Sequence, residues 1–194
     1  MKYLALRFLP FKQAFAVLFA AAVFSLFLLP VQTSAFDAGI GAGVFVPNSD
    51  MSKAYDPGYD IYAYVSFNML PTLLDFRIQA DWYNAAGKYT PFGFASKMDY
   101  KFRAVGGEAL VILAPTMVPV IKPYLGVGWG LYNSTIEVAG YSETELGNGL
   151  VAVAGIGIEV VVLRIGLDGK YFVNKIKGDD YGGFGLGLSA AIVF

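Results

Sequence analysis

The sequence contains no histidine and no cysteine, and only 15% of its 194 residues are charged. Without histidine, the chain lacks the side chain that most often acts as a general base in catalysis. Without cysteine, it can form neither disulfides nor thiolate metal sites. These absences argue against an enzyme. They also mean that the stability of the protein depends on its fold and its solvent, and not on disulfides or thiolate metal sites.

Hydrophobic residues are abundant instead. They make up 56% of the chain, and the mean hydropathy is +0.55, which is apolar for a soluble domain. After residue 35 no uncharged apolar run reaches the ~18 residues that indicate a transmembrane helix. The apolar residues must therefore be distributed over another kind of element.

The first 35 residues have the order of a cleaved signal peptide. An apolar run, Ala14–Leu29, leads to small residues that end at Ala35. Three basic residues precede or adjoin this run: Lys2, Arg7 and Lys12. An uncleaved anchor is the alternative, but the run is shorter than the ~20 residues of a spanning helix and Pro30 ends it. We therefore predict a signal peptide at 1–35 and a mature domain at 36–194.

The charge of the predicted mature domain is acidic. Residues 36–194 contain eleven basic and fifteen acidic side chains, a formal charge of −4. Proteins that bind nucleic acid generally carry a basic patch or an excess of basic residues. The composition therefore argues against a nucleic-acid partner.

Strict alternation of apolar and polar residues recurs along the mature domain and predicts β-strands. It is clearest in Leu74–Trp82. In later segments glycines occupy the second face, for example in Leu125–Leu131, which suits a crowded, narrow interior. The predicted strands are 36–46, 59–69, 73–84, 98–113, 121–136, 149–161, 163–173 and 181–194.

The connections between these segments alternate in length. Short connections are predicted at 70–72, at 114–120 and near Val162, and long polar loops at 47–58, 85–97 and 137–148, with a shorter one at 174–180. Short turns at one end and longer loops at the other are typical of membrane barrels. The predicted fold is all-β: an eight-stranded antiparallel transmembrane up-and-down β-barrel, preceded by the cleaved signal peptide.

Many charged residues fall on the polar faces of the predicted strands, where they could pair inside a barrel. Asp37 and Asp60 also fall on these faces. The predicted interior ion-pair network consists of Asp75, Arg77, Asp81, Asp99, Lys101, Arg103, Glu108, Glu159, Arg164, Asp168 and Lys170. Placing both Arg103 and Glu108 inside requires a register shift, for which a bulge at Gly106-Gly107 is a hypothesis.

Three segments resemble the small outer-membrane β-barrel family typified by the barrel domain of outer-membrane protein A: Pro123–Tyr132, Gly155–Glu159 and Leu188–Phe194. The resemblance spans the mature domain and implies the outer membrane of a Gram-negative bacterium. Leu188, Ile192 and Phe194 resemble the signal read by the barrel-assembly machinery, although Ser189 occupies the usual glycine position. Members share a scaffold and differ in function.

The resemblance implies a lipid bilayer and lipopolysaccharide as partners, with the loop segments 53–58 and 88–94 as candidate contacts. Outer-membrane enzymes such as the palmitoyltransferase, deacylase, phospholipase and omptin types rely on histidine, so no catalytic residue and no cofactor is predicted. The leading hypothesis is a non-enzymatic protein that supports envelope integrity or surface interaction through its loops. The alternatives are a narrow channel and a soluble periplasmic ligand-binding barrel.

Overall fold

The computed structural model describes residues 36–48, 51–70, 73–90, 97–115 and 120–194. The predicted signal peptide lies outside these residues and stays a prediction. Within them, no helix is long and apolar enough to cross a membrane. A single turn of 3-10 helix, Met51–Lys53, follows the first strand.

Ten strands are present in the described part of the chain, and eight of them are long. The long strands are β1 (Phe36–Pro47), β2 (Gly58–Leu70), β3 (Leu74–Tyr89), β4 (Met98–Leu113), β5 (Ile121–Val138), β6 (Tyr141–Val160), β7 (Leu163–Phe172) and β10 (Gly183–Val193). Two short strands, β8 (Lys175–Ile176) and β9 (Asp179–Asp180), form a small hairpin between β7 and β10.

The eight long strands close into a ring. From β1 to β7 each strand pairs antiparallel with the next, and β10 pairs with β7 on one side and β1 on the other. Closure leaves no open edge along the eight-stranded wall, which is the way an antiparallel sheet forms a barrel. The predicted all-β, eight-stranded, up-and-down architecture is confirmed.

Side chains alternate between the inside and the outside of the ring. On β3 the even residues Phe76, Ile78 and Trp82 face outward, and the odd residues Arg77 and Asp81 are buried inside. An outer band of exposed aliphatic residues follows the same alternation on the other strands: Ile40, Val44, Ile61, Val105, Val111, Leu125, Val127, Leu150, Ile156, Ile158, Ile165, Leu167, Leu186, Leu188 and Ile192. We call these residues the apolar band.

Glycines make room for bulky side chains in the narrow interior. A Cβ at Gly130 would lie 2.3 Å from the hydroxyl oxygen of Tyr132, and a Cβ at Gly106 would lie 2.2 Å from the Cδ1 atom of the same ring. Such separations are far below van der Waals contact, so any larger residue would displace the tyrosine. The predicted reason for the glycine-rich faces therefore holds at Gly130, and Gly106 makes room for the same ring.

The predicted loop at 137–148 is wrong. β5 and β6 continue past the apolar band and meet at a two-residue turn, Ala139-Gly140, whose φ angles are +50° and +87°. Positive φ at both turn residues is the geometry of a type I′ hairpin, whose twist matches that of the strands. We call residues 133–146 the projecting hairpin.

Candidate functional site

A buried polar cluster occupies the middle of the barrel, and its centre is the side chain of Lys170. The ammonium contacts the carboxylates of Asp81 and, at 3.3 Å, Glu108. Gln79 donates to Asp81 at 3.0 Å. The central cluster consists of Gln79, Asp81, Tyr83, Glu108, Tyr132 and Lys170, all of which are buried.

Register explains how the central cluster assembles. Gln79 on β3 is the direct cross-strand partner of Glu108 on β4. Lys170 comes from β7, on the far side of the ring, and reaches these strands only because the ring is closed. Removal of one charge from such a buried group leaves the opposite charge without compensation, which costs several kcal/mol.

An aromatic plug fills the barrel between the central cluster and the loop end. It consists of Phe45, Tyr83, Phe102, Tyr132 and Phe172, each with no exposed surface. The ring centroids of Tyr83 and Phe172 are 4.3 Å apart, and those of Tyr132 and Phe172 are 5.4 Å apart.

Both plug tyrosines also donate to the same carboxylate. The hydroxyls of Tyr132 and Tyr83 lie 2.7 Å and 3.2 Å from Glu108. Their rings thus pack with the plug while their hydroxyls satisfy the central cluster, which joins an apolar layer to a charged one.

The loop after β1 covers the plug. Met51 and Tyr55 are 3% and 6% exposed, and the Tyr55 ring packs edge-on against Phe102 at 6.1 Å between centroids. The loop is tied down by a hydrogen bond from the Asp56 amide to the Ala86 carbonyl. Burial raises the pKa of the Tyr55 phenol above its ordinary value, so this side chain stays neutral.

A second charged group lies at the opposite end of the interior. The guanidinium of Arg164 contacts the carboxylates of Asp37 and, at 2.9 Å, Glu159. Above it, Arg77 donates to the hydroxyl of Ser66 at 3.0 Å and stacks over the Tyr64 ring at 4.1 Å. Cation–π stacking of this kind stabilises a buried guanidinium without a carboxylate partner.

Eight residues of the predicted interior ion-pair network do face inward: Asp75, Arg77, Asp81, Glu108, Glu159, Arg164, Asp168 and Lys170. They do not form one network. Lys170 joins two of them and Arg164 another, whereas Asp168 accepts a hydrogen bond from Tyr62 at 2.5 Å.

The predicted inward placement of Asp99, Lys101 and Arg103 is wrong. All three are exposed on the outer face of β4, while Phe102 and Ala104 are buried inside. The alternation then runs unbroken to Glu108, and the pairing with β3 and β5 contains no shift at Gly106-Gly107. Because Phe102 and Glu108 lie on the same face of β4, no register shift is needed between them. The hypothetical bulge is absent.

Once outside, two of these three residues form surface ion pairs. Lys101 lies 3.0 Å from Glu137, and Asp99 lies 3.4 Å from Lys88. No ion pair is found for Arg103 within the described chain. Its cross-strand partners are Asn84 and Thr135, neither of which is charged.

Other acidic residues have structural roles. Asp180 accepts hydrogen bonds from the Asn48 side chain and the Gly182 amide, both at 2.9 Å, and so organises the loop before β10.

At the tip of the β8–β9 hairpin, Lys177 contacts Glu143 and Glu145 on the projecting hairpin, and these carboxylates raise the pKa of its ammonium. No group of three or more carboxylates in the described chain is placed to hold a metal ion.

The three residues of the predicted assembly signal lie at the seam between β1 and β10. Leu188 and Ile192 face outward and are 64% and 51% exposed. The Phe194 ring stacks on Phe36 with centroids 4.5 Å apart, and its amide donates to the Phe36 carbonyl. Recognition of this segment by the assembly machinery stays a prediction.

A closed antiparallel ring with an apolar outer band and a polar interior is the pattern of a transmembrane β-barrel. No protein-family model and no curated protein matches the sequence. Solved structures of small outer-membrane barrels do match the fold.

Neisserial surface protein A aligns with 82% of this chain and 97% of its own at 15% identity, with a TM-score of 0.58. Ail, the attachment invasion locus protein of Yersinia pestis, solved in complex with the heparin analogue sucrose octasulfate, aligns with 83% of this chain and 99% of its own at 15% identity, with a TM-score of 0.57. The N-terminal β-barrel domain of OprF from Pseudomonas aeruginosa covers 84% of this chain and 98% of its own at 13% identity, with a TM-score of 0.52. The predicted resemblance is therefore confirmed at the level of the fold.

Proposed function

We propose that this protein is a non-enzymatic outer-membrane barrel with a closed lumen, which supports the envelope or its surface contacts through the end that carries the long connections. The observation that carries the proposal is the apolar band surrounding a filled interior. The chain has no histidine, and the fold neighbours are outer-membrane barrels.

The apolar band argues against the soluble alternative. Leu188 and Val127 are more than 60% exposed, and exposed apolar residues occur on every one of the eight long strands. Soluble proteins rarely expose a contiguous apolar patch of more than a few hundred Å². In hydrocarbon, by contrast, such a surface is favourable and the closed ring satisfies every strand.

The aromatic plug argues against the channel alternative. Its five rings have no exposed surface, and Met51 and Tyr55 cover them from the loop side. An ion crossing the barrel would have to displace closely packed rings and then pass the paired charges of the central cluster. Small eight-stranded barrels are usually filled by their own side chains in this way.

The first test combines localisation with conductance. We expect the protein to sediment with the outer membrane of a Gram-negative host, and the purified protein to give no conductance steps in planar bilayers. A variant that carries both Phe45→Ala and Phe172→Ala, which removes two plug rings, is the comparison and is expected to conduct. Recovery in the soluble periplasmic fraction, or steady conductance by the parent, would contradict the proposal.

We further propose that the outer face near Arg103 contacts lipid phosphate, as in the lipid A part of lipopolysaccharide. Arg103 lies one outward position beyond Val105 of the apolar band and is flanked by Asn84 and Thr135. Below this polar row the rings of Trp82 and Tyr59 pack at 5.8 Å, as aromatic residues do at a membrane interface. An exposed cation with no carboxylate partner among the described residues suits an anionic headgroup.

The lipid contact is tested with Arg103→Ala in bilayers of phosphatidylcholine with and without lipid A. One basic residue near an anionic surface contributes about 1 kcal/mol. In Arg103→Ala, the factor by which lipid A raises the folding equilibrium constant should therefore be roughly fivefold smaller than in the parent. Arg103→Lys should retain most of this factor. The control is Lys175→Ala, an exposed lysine on β8. Equal destabilisation of Arg103→Ala in both lipids would show a structural role and reject the contact.

A further inference from the structure

A small cavity lies within the barrel beside the central cluster. The volume open to the centre of a water molecule is about 20 Å³, which is room for one or two waters or a small ion. The polar side chains on its wall are Asp60, Tyr62, Arg77, Gln79, Tyr124, Asp168 and Lys170. The glycines of β10, Gly185 and Gly187, lie beside Lys170 and Asp168 in the wall and contribute no side chain.

One carboxylate oxygen of Asp60, on the wall of this cavity, has no partner in the described chain. The residue is 3% exposed, and its Oδ1 atom has no hydrogen-bond partner among the described residues. A buried carboxylate oxygen left unsatisfied costs far more than an exposed one. Native structures contain few such atoms, and a bound water or ion is one common explanation for them.

The neighbouring cations are already engaged. Lys170 contacts Asp81 and Glu108, and Arg77 donates to Ser66 beneath the Tyr64 ring. Asp168, the other carboxylate on the cavity wall, receives only the hydroxyl of Tyr62 in the described contacts. Four carboxylates (Asp60, Asp81, Glu108 and Asp168) thus share this part of the interior with two cations, which leaves an excess of negative charge.

We propose that the cavity binds one small monovalent cation, such as Na⁺, held by the carboxylates of Asp60 and Asp168. A single positive charge provides Asp60 with its missing partner and reduces the excess negative charge. A divalent ion is a poorer fit, because Ca²⁺ takes six to eight oxygen ligands and no group of three carboxylates converges on one point in the described chain. The bound ion would stabilise the folded state alone, because the unfolded chain has no such site.

The test measures unfolding of the refolded protein in detergent, at fixed pH and ionic strength, while NaCl replaces choline chloride. Choline is too large for the cavity, so it controls for ionic strength. The folding equilibrium constant should rise with Na⁺ as expected for one site, by about 100-fold when Na⁺ reaches 100 times its dissociation constant. Asp60→Asn should abolish this dependence, whereas Asp179→Asn, an exposed carboxylate in the β8–β9 hairpin, should leave it intact.

Asp168→Asn is the second variant, should Asp60→Asn fail to fold, and it is expected to lose the same dependence. Equal stability of the parent in NaCl and choline chloride would overturn the proposal, as would a Na⁺ effect that survives in the folded cavity variants. If lower pH but not Na⁺ stabilises the parent, and Asp60→Asn loses this effect, a proton occupies the place assigned to the cation. That result would overturn the cation site. The measurement is made in detergent and does not depend on where the protein resides in the cell.

Discussion

Replacement of Lys170 by methionine is expected to destabilise the folded barrel by about 3–5 kcal/mol. Lys170 is 6% exposed and is the ammonium that contacts both Asp81 and Glu108. Methionine has a similar length and no charge, so the variant would leave two carboxylates facing each other in a poorly solvated interior. Reversible urea unfolding, followed by the fluorescence of Trp82 and Trp129, measures the change.

The exposed Lys175→Met is the matched control and should change the free energy of unfolding little, because it lies at the surface of β8. A triple variant, Lys170→Met with Asp81→Asn and Glu108→Gln, removes the charges together and should recover most of the loss. If Lys170→Met is as stable as the parent, the central cluster contributes no charge pairing to the fold.

Ile78→Arg is expected to destabilise the protein in lipid bilayers by about 2–4 kcal/mol. Ile78 points outward in the middle of the predicted span of β3, between Val65 on β2 and Ala109 on β4. An arginine there would place its guanidinium in hydrocarbon, or force its side chain to extend toward the interface. Urea unfolding of the protein refolded into phospholipid vesicles gives the free energy.

Ser142→Arg supplies the matched control, because this residue is exposed on the projecting hairpin beyond the apolar band. The same added charge should have little effect there. A small effect of Ile78→Arg in bilayers would mean that this face of β3 does not contact lipid.

Period-two alternation predicted the strands and most of their facing correctly. In β3 the apolar and polar sets differ sharply, so Ile78 and Arg77 could be placed on opposite faces from the sequence alone. The ends of β1, β4 and β7 were also predicted within two residues of their positions. A strand that separates an apolar phase from a polar one has a pattern that depends little on tertiary context.

The predicted orientation of the β4 side chains was wrong because both faces of this strand carry residues that suit either the inside or the outside of the barrel. Lys101 and Arg103 suggested a polar interior, but Tyr100 and Phe102 share their parity with Glu108 and therefore lie on its face. The sequence did contain this signal, since a strand without a bulge keeps one parity throughout. The aromatic plug was missed for the same reason: with Arg103 placed inside, its neighbour Phe102 had to face outward.

The projecting hairpin was missed because its strands no longer separate two phases. Beyond the apolar band, Thr135 and Thr144 pair across β5 and β6 through their hydroxyls at 3.0 Å, and polar residues occur on both faces. The turn between these strands uses Ala139 where Asn or Asp is the usual residue before glycine. Backbone pairing, rather than apolar burial, extends this part of the sheet.

The seam between β1 and β10 has a consequence for the order of events during biogenesis. Asp37 pairs with Val193 and Pro47 with Gly183, so β1 completes its pairing only when β10 is in place. Until β10 arrives, β1 has an unpaired edge that hydrocarbon does not tolerate, and Lys170 and Asp81 lie on separate stretches of an open chain. Contacts this distant in sequence also make closure slow. The wall therefore closes only when its last strand pairs with its first, and a chain that has not yet placed β10 lacks the closed ring.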